Sequence, residues 1–126
     1  MDRGKVLNPL NKTVLMLALL VISSAVVADS ARLFALSAEV WARPRAGDTV
    51  ITMEPVKAAV DYWSRLDGGV VKLSYPGEDS GELWASELRD WLISLGVPGD
   101  AIQLVPGLQT SAELRLIVGL PTDINF

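Results

Sequence analysis

The chain has 126 residues, half of them hydrophobic, and a formal net charge of −4. That length suits one domain with a short appendage, and an acidic balance without a Lys/Arg cluster gives no electrostatic footprint for nucleic acid. There is no His and no Cys, which removes the common zinc centres, thiol nucleophiles, the Ser-His-Asp triad, a disulfide framework and the lipid-bearing Cys of a bacterial lipoprotein.

Residues 1–12 carry Arg3, Lys5 and Lys12 against one acid, Asp2, and residues 13–28 carry no charge. A basic start, an apolar core and small residues at its end make a secretory signal, with Val26 and Ala28 as the small residues of a cleavage site before Asp29. The alternative is an uncleaved anchor. The apolar run is shorter than the roughly 20 residues of a spanning helix. However, residues 11–43 contain neither Gly nor Pro, so a helix could continue past Asp29. Either route exports the chain. Residues 1–28 are therefore read as a signal peptide or membrane anchor, forming an N-terminal apolar helix.

Residues 29–47 read as a connector. Leu33, Leu36, Val40 and Trp41 have the spacing of a short amphipathic helix, and Arg43-Pro44-Arg45-Ala46-Gly47 ends it. Trp41, Arg43 and Arg45 lie outside the periodic helices of the α/β domain and form the candidate partner contact. The same residues also suit a solvated linker.

Residues 48–118 read as an α/β domain. Residues 48–53 are β-rich and are expected to form the first strand. Glu54-Pro55 opens a helix, since Pro is tolerated in a first turn. Val56, Ala59, Val60 and Trp63 then mark its apolar face, and Asp67-Gly68-Gly69 stops it. Val70 to Tyr75 is the second strand, with Lys72 and Ser74 on the wetter face. An amphipathic helix between Leu83 and Leu95 follows, carrying Trp84, Leu88, Trp91, Leu92 and Leu95 on one face. It ends at Gly96 and Val97-Pro98-Gly99 redirects the chain. Ile102 to Val105 is the third strand and Glu113 to Val118 the fourth, with Leu114, Leu116 and Val118 alternating with Glu113 and Arg115. Residues 119–126 read as a tail. The order β-α-β-α-β-β predicts a two-layer α/β sandwich, two helices on a four-stranded mixed sheet. Trp63, Trp84 and Trp91 are expected to pack in the core.

The turn before the second helix is acidic. Asp79 as N-cap and Glu82 three residues on would satisfy free N–H groups and favour the positive helix end. The functional alternative is a cation or carboxylate site made of Glu78, Asp79 and Glu82.

The stretch Leu88-Arg89-Asp90-Trp91-Leu92-Ile93-Ser94-Leu95-Gly96-Val97-Pro98, followed by Ile102 and preceded by Pro55 at a helix start, resembles the OmpA C-terminal-like family of peptidoglycan-binding periplasmic domains. The resemblance covers roughly residues 48–118 and implies a periplasmic α/β domain. That family has a Thr-Asp pair after its second strand and an Arg in the following helix, which hold the stem peptide. Here Tyr75-Pro76-Gly77 occupies the turn and Trp84 the matching Arg position. No site residue carries over, and Asp79, Glu82 and Arg89 stand as the candidate ligand site.

Three functions follow as expectations. The first is a non-catalytic bacterial envelope protein in the periplasm, with a binding or assembly role and an envelope protein as partner. It would touch the inner membrane if residues 1–28 are uncleaved, and it needs no cofactor or metal. The second is a divergent OmpA-like domain with peptidoglycan as ligand. The third is a small hydrolase using Glu78, Asp79 or Glu82.

Overall fold

The computed structural model describes residues 30–126, so the signal or anchor reading of residues 1–28 and the apolar helix expected there lie outside the described residues. The elements run β1 (Arg32–Ser37), α1 (Ala38–Trp41), α2 (Gly47–Thr52), α3 (Glu54–Ser64), β2 (Val70–Tyr75), α4 (Asp79–Ser94), a 3-10 turn (Gly99–Ala101), β3 (Ile102–Pro106) and β4 (Glu113–Gly119). The four strands form one mixed sheet in the order β1-β4-β2-β3. β4 runs antiparallel to both neighbours, and β2 is parallel to β3.

The helices pack on one face of this sheet. Alternation along β2 and β4 turns Val71, Leu73, Leu114, Leu116 and Val118 inward, each at most 1% exposed. They meet Val56 and Ala59 of α3 and Ala85, Leu88 and Leu92 of α4 in a single cluster. Burying an aliphatic side chain contributes about 1.5–3 kcal/mol, so this two-row seam is the main source of stability. Trp63, Trp84 and Trp91 pack partly buried against it, as their helical spacing predicts. The two-layer α/β sandwich with two principal helices on a four-stranded mixed sheet is therefore the observed architecture.

The strand that opens the sheet differs from expectation. Residues 48–53 do not form it; Gly47–Thr52 is helical. Its short polar residues close the turn locally. Asp48 Oδ1 accepts from Thr49 N at 2.9 Å, and Thr52 Oγ1 donates back to the Thr49 carbonyl at 2.9 Å. β-propensity measures fit to a half-buried pleated surface, and the place beside β4 is already taken. It belongs to Arg32–Ser37, which was expected to be helical and instead pairs with β4 from Arg32↔Val118 to Ser37↔Glu113. No helix continues past Asp29 into this segment.

The boundaries move accordingly. Residues 29–47 are not a connector, because β1 is a sheet strand and Leu36 and Trp41 are core residues. The tail is also anchored. Ile124 is 8% exposed, and the Asn125 carbonyl accepts from Lys72 Nζ at 2.6 Å.

Tyr62, on α3, grips the start of β1. Its hydroxyl donates to the Ser30 carbonyl. The Arg32 guanidinium lies 4.3 Å from its ring centre, and Phe34 is tilted against it. Tyr62→Phe removes one hydrogen bond and keeps the ring. The expected cost is about 1 kcal/mol, read from a denaturant midpoint at unchanged slope.

Candidate functional site

Two groups of residues were singled out from the sequence, and the structure treats them differently. The first is Trp41, Arg43 and Arg45. Beyond Ser37 the chain leaves the ladder, and Ala38 N donates to the Ala112 carbonyl at 2.8 Å. One helical turn then swings Trp41 onto the core, where it is 0% exposed. Trp41 is thus a core residue in this fold and presents no contact surface. Arg45 covers it, with its guanidinium carbon 4.0 Å from the indole centre. Arg45 also donates to the Trp41 carbonyl and pairs with Glu87 on α4. Its side chain is 12% exposed. Only Arg43 faces solvent, in an i,i+4 pair with Glu39 at 3.2 Å.

This latch holds α1 and the loop after it against α4. It is imperfectly satisfied: among the described residues Trp41 Nε1 and Arg45 Nε are buried with no hydrogen-bond partner, and each such donor costs about 1–3 kcal/mol. Arg45→Met keeps the apolar stem over Trp41 and removes one orphaned donor, so its cost is expected below about 1 kcal/mol. Both changes leave the part-exposed Glu87 without its partner; Arg45→Ala also uncovers the indole, and about 2 kcal/mol is expected. Urea denaturation of the two variants side by side checks the ordering.

The second group is the acidic turn with Arg89. Helix α4 begins at Asp79, with Glu78 in the N-cap position and no side-chain cap bond. The expected Asp79 cap and Glu82 capping box are therefore not formed. The helix starts one residue earlier than a cap at Asp79 requires, and Gly81 in its first turn lies against Pro76. Asp79 and Glu82 still sit in that turn, where negative charge complements the helix dipole. Glu78, Asp79 and Glu82 are all exposed. Arg89 lies seven residues past Glu82, about 10 Å further along the axis, and it reaches toward Gly99 at the other end of α4. The structure does not bring Asp79, Glu82 and Arg89 together. Among the described residues no group of three or more Asp or Glu is placed to hold a metal ion.

The sheet face opposite the helices, which a two-layer sandwich leaves open for a partner, carries residues that the sequence did not single out. Register aligns Leu33, Ile117, Lys72 and Gln103 in one row across all four strands. Leu33 is 55% exposed. In the next row Arg115 pairs with Glu113 at 2.6 Å. The tail returns across one end of this face, bringing Phe126, 51% exposed, to the neighbourhood of Lys72. The signal was weak because residues 33–36 are all apolar, so no alternation marks which face is wet. No protein-family model matches this chain, and no curated protein matches it.

Proposed function

We propose that this chain is a non-catalytic, exported bacterial envelope protein whose periplasmic α/β domain has a binding or assembly role, as an accessory part of a membrane-associated complex. The observation that carries the reading is the order of residues 1–28, basic, then apolar, then small, placed directly ahead of the folded unit that starts at β1. The open sheet face and the edge strands β1 and β3 are the surfaces suited to a partner. A reporter enzyme active only outside the cytoplasm, fused after Phe126, tests the export step. Activity that disappears when residues 1–28 are deleted is the expected result. A fusion inactive with the full sequence present contradicts the reading.

The second reading is a divergent OmpA-like peptidoglycan-binding domain. It is supported by the strand-helix order and by the helix-to-strand exit at Gly96-Val97-Pro98, where Val97 N reaches back to the Leu92 carbonyl at 3.0 Å. Co-sedimentation with purified sacculi tests it, and a domain that stays in the supernatant counts against it.

A further inference from the structure

We propose that the end of the sheet bearing Leu33 and Phe126 rests on the surface of a lipid bilayer. The inference rests on the anchored form of the export reading, in which residues 1–28 are retained.

Three observations converge on this end. The first is distance. The uncharged stretch stops at Ala28 and β1 begins at Arg32, and so short a link reaches about 14 Å at most. An anchored domain has no stalk to lift it from the membrane. Residues 13–28 form an uncharged run shorter than the roughly 20 residues that span a hydrocarbon core. A short span draws its flanking residues into the interface, and the flanking residues here are those that open β1.

The second is topology. β4 is antiparallel to β1, so Val118 stands opposite Arg32 and the chain leaves the sheet where it arrived. A Cβ on Gly119 would lie 2.9 Å from Ala31 Cα and 3.4 Å from Ile124 Cγ1. The tail therefore folds back at this end, and Asn125 reaches Lys72. Lys72 pairs with Ile117, which pairs with Leu33.

The third is chemistry. Leu33 and Phe126 are two of the large hydrophobic side chains that the described fold leaves exposed. Lys72 lies in the same row as Leu33. Apolar side chains beside a cation suit an interface whose acyl region lies beneath anionic headgroups.

The chain has no Cys, so single labels are straightforward. Leu33→Cys, Phe126→Cys and a control, Leu83→Cys, would each be made in the full-length chain, labelled with a small fluorophore and reconstituted into phosphatidylcholine–phosphatidylglycerol vesicles. Leu83 is 72% exposed on α4, which starts at the opposite end of the sheet because β2 leads into it. Labels at positions 33 and 126 are expected to be quenched several-fold more by a lipid-borne nitroxide than the label at 83, and to be shielded from aqueous iodide. Equal quenching at all three positions overturns the bilayer contact while leaving the anchor intact. Shielding from iodide without quenching by the nitroxide means a second protein copy covers the patch, and also overturns it. A chain extracted from the vesicles by alkaline carbonate overturns the anchor, and the contact with it.

Discussion

Gly81→Ala is expected to lower the unfolding free energy by about 3 kcal/mol, although the same change in an exposed helix interior gains about 1 kcal/mol. The sign reverses because of what the new methyl meets. A Cβ at Gly81 would stand 2.2 Å from the Pro76 carbonyl oxygen and 3.1 Å from its carbonyl carbon. Both are backbone atoms, and Pro76 is buried at the end of β2. Neither can rotate aside, so the first turn of α4 must shift or the strand end must bend. Gly99→Ala is the control. Its nearest neighbours are Arg89 Nη2 at 3.0 Å and Ile93 Cδ1 at 3.5 Å, which are ends of flexible side chains. Surface changes of that kind stay within about 0.5 kcal/mol. Thermal or urea unfolding of both variants checks the contrast, and equal midpoints would contradict the close β2–α4 approach.

Trp41→Ala is the second large effect, expected at about 3–5 kcal/mol. Trp41 is 0% exposed, packed in the same cluster as Leu36 and Val50. Truncation leaves a cavity beneath Arg45 and removes the surface on which that guanidinium stacks. An indole on the surface would give a change within about 0.5 kcal/mol, so the measurement separates the core role from a contact role directly. Trp41→Phe keeps most of the apolar volume and deletes the orphaned Nε1–H, and its expected cost is under about 2 kcal/mol.

The layers of the fold were legible where periodicity and punctuation agreed. Helix α3 was marked by Pro55 and by Val56, Ala59 and Val60 at helical spacing. Helix α4 was marked by Leu88, Leu92 and Leu95 and by its stop at Gly96, where a φ of 108° suits glycine. Strands β2 and β4 were marked by alternation about Lys72 and about Glu113 and Arg115, although Ser74, expected on the wetter face, is buried. What failed was local. In residues 32–37 apolar side chains occupy both faces, so a helical period and a strand period fit equally well, and only the unpaired flank of β4 decides for a strand. In residues 48–53 the β-branched Thr49, Val50, Ile51 and Thr52 spoke for a strand, while Asp48, accepting from the Thr49 N–H, and Thr52, donating to the Thr49 carbonyl, closed a helical turn instead. Pairing across the whole chain overrode propensity at both places.

The candidate sites were less legible for the same reason. Trp41 and Arg45 looked free because the segment before them was read as a helix outside the domain. Once β1 joins the sheet, Trp41 falls on the core and Arg45 is held by Glu87, 42 residues away, a contact that spacing does not reveal. The end of the open face became visible only through register, which sets Leu33 beside Ile117 and Lys72 and brings the tail over them.

The central claim is export of a folded α/β domain by its N-terminal segment. The intact mass of the chain recovered from separated cytoplasmic, periplasmic and membrane fractions of a bacterial host tests it most directly. One of two species is expected: a periplasmic form beginning at Asp29, or a full-length form in the inner membrane, the second being the form proposed to place Leu33 and Phe126 at the bilayer. A full-length chain recovered from the cytoplasmic fraction would contradict it.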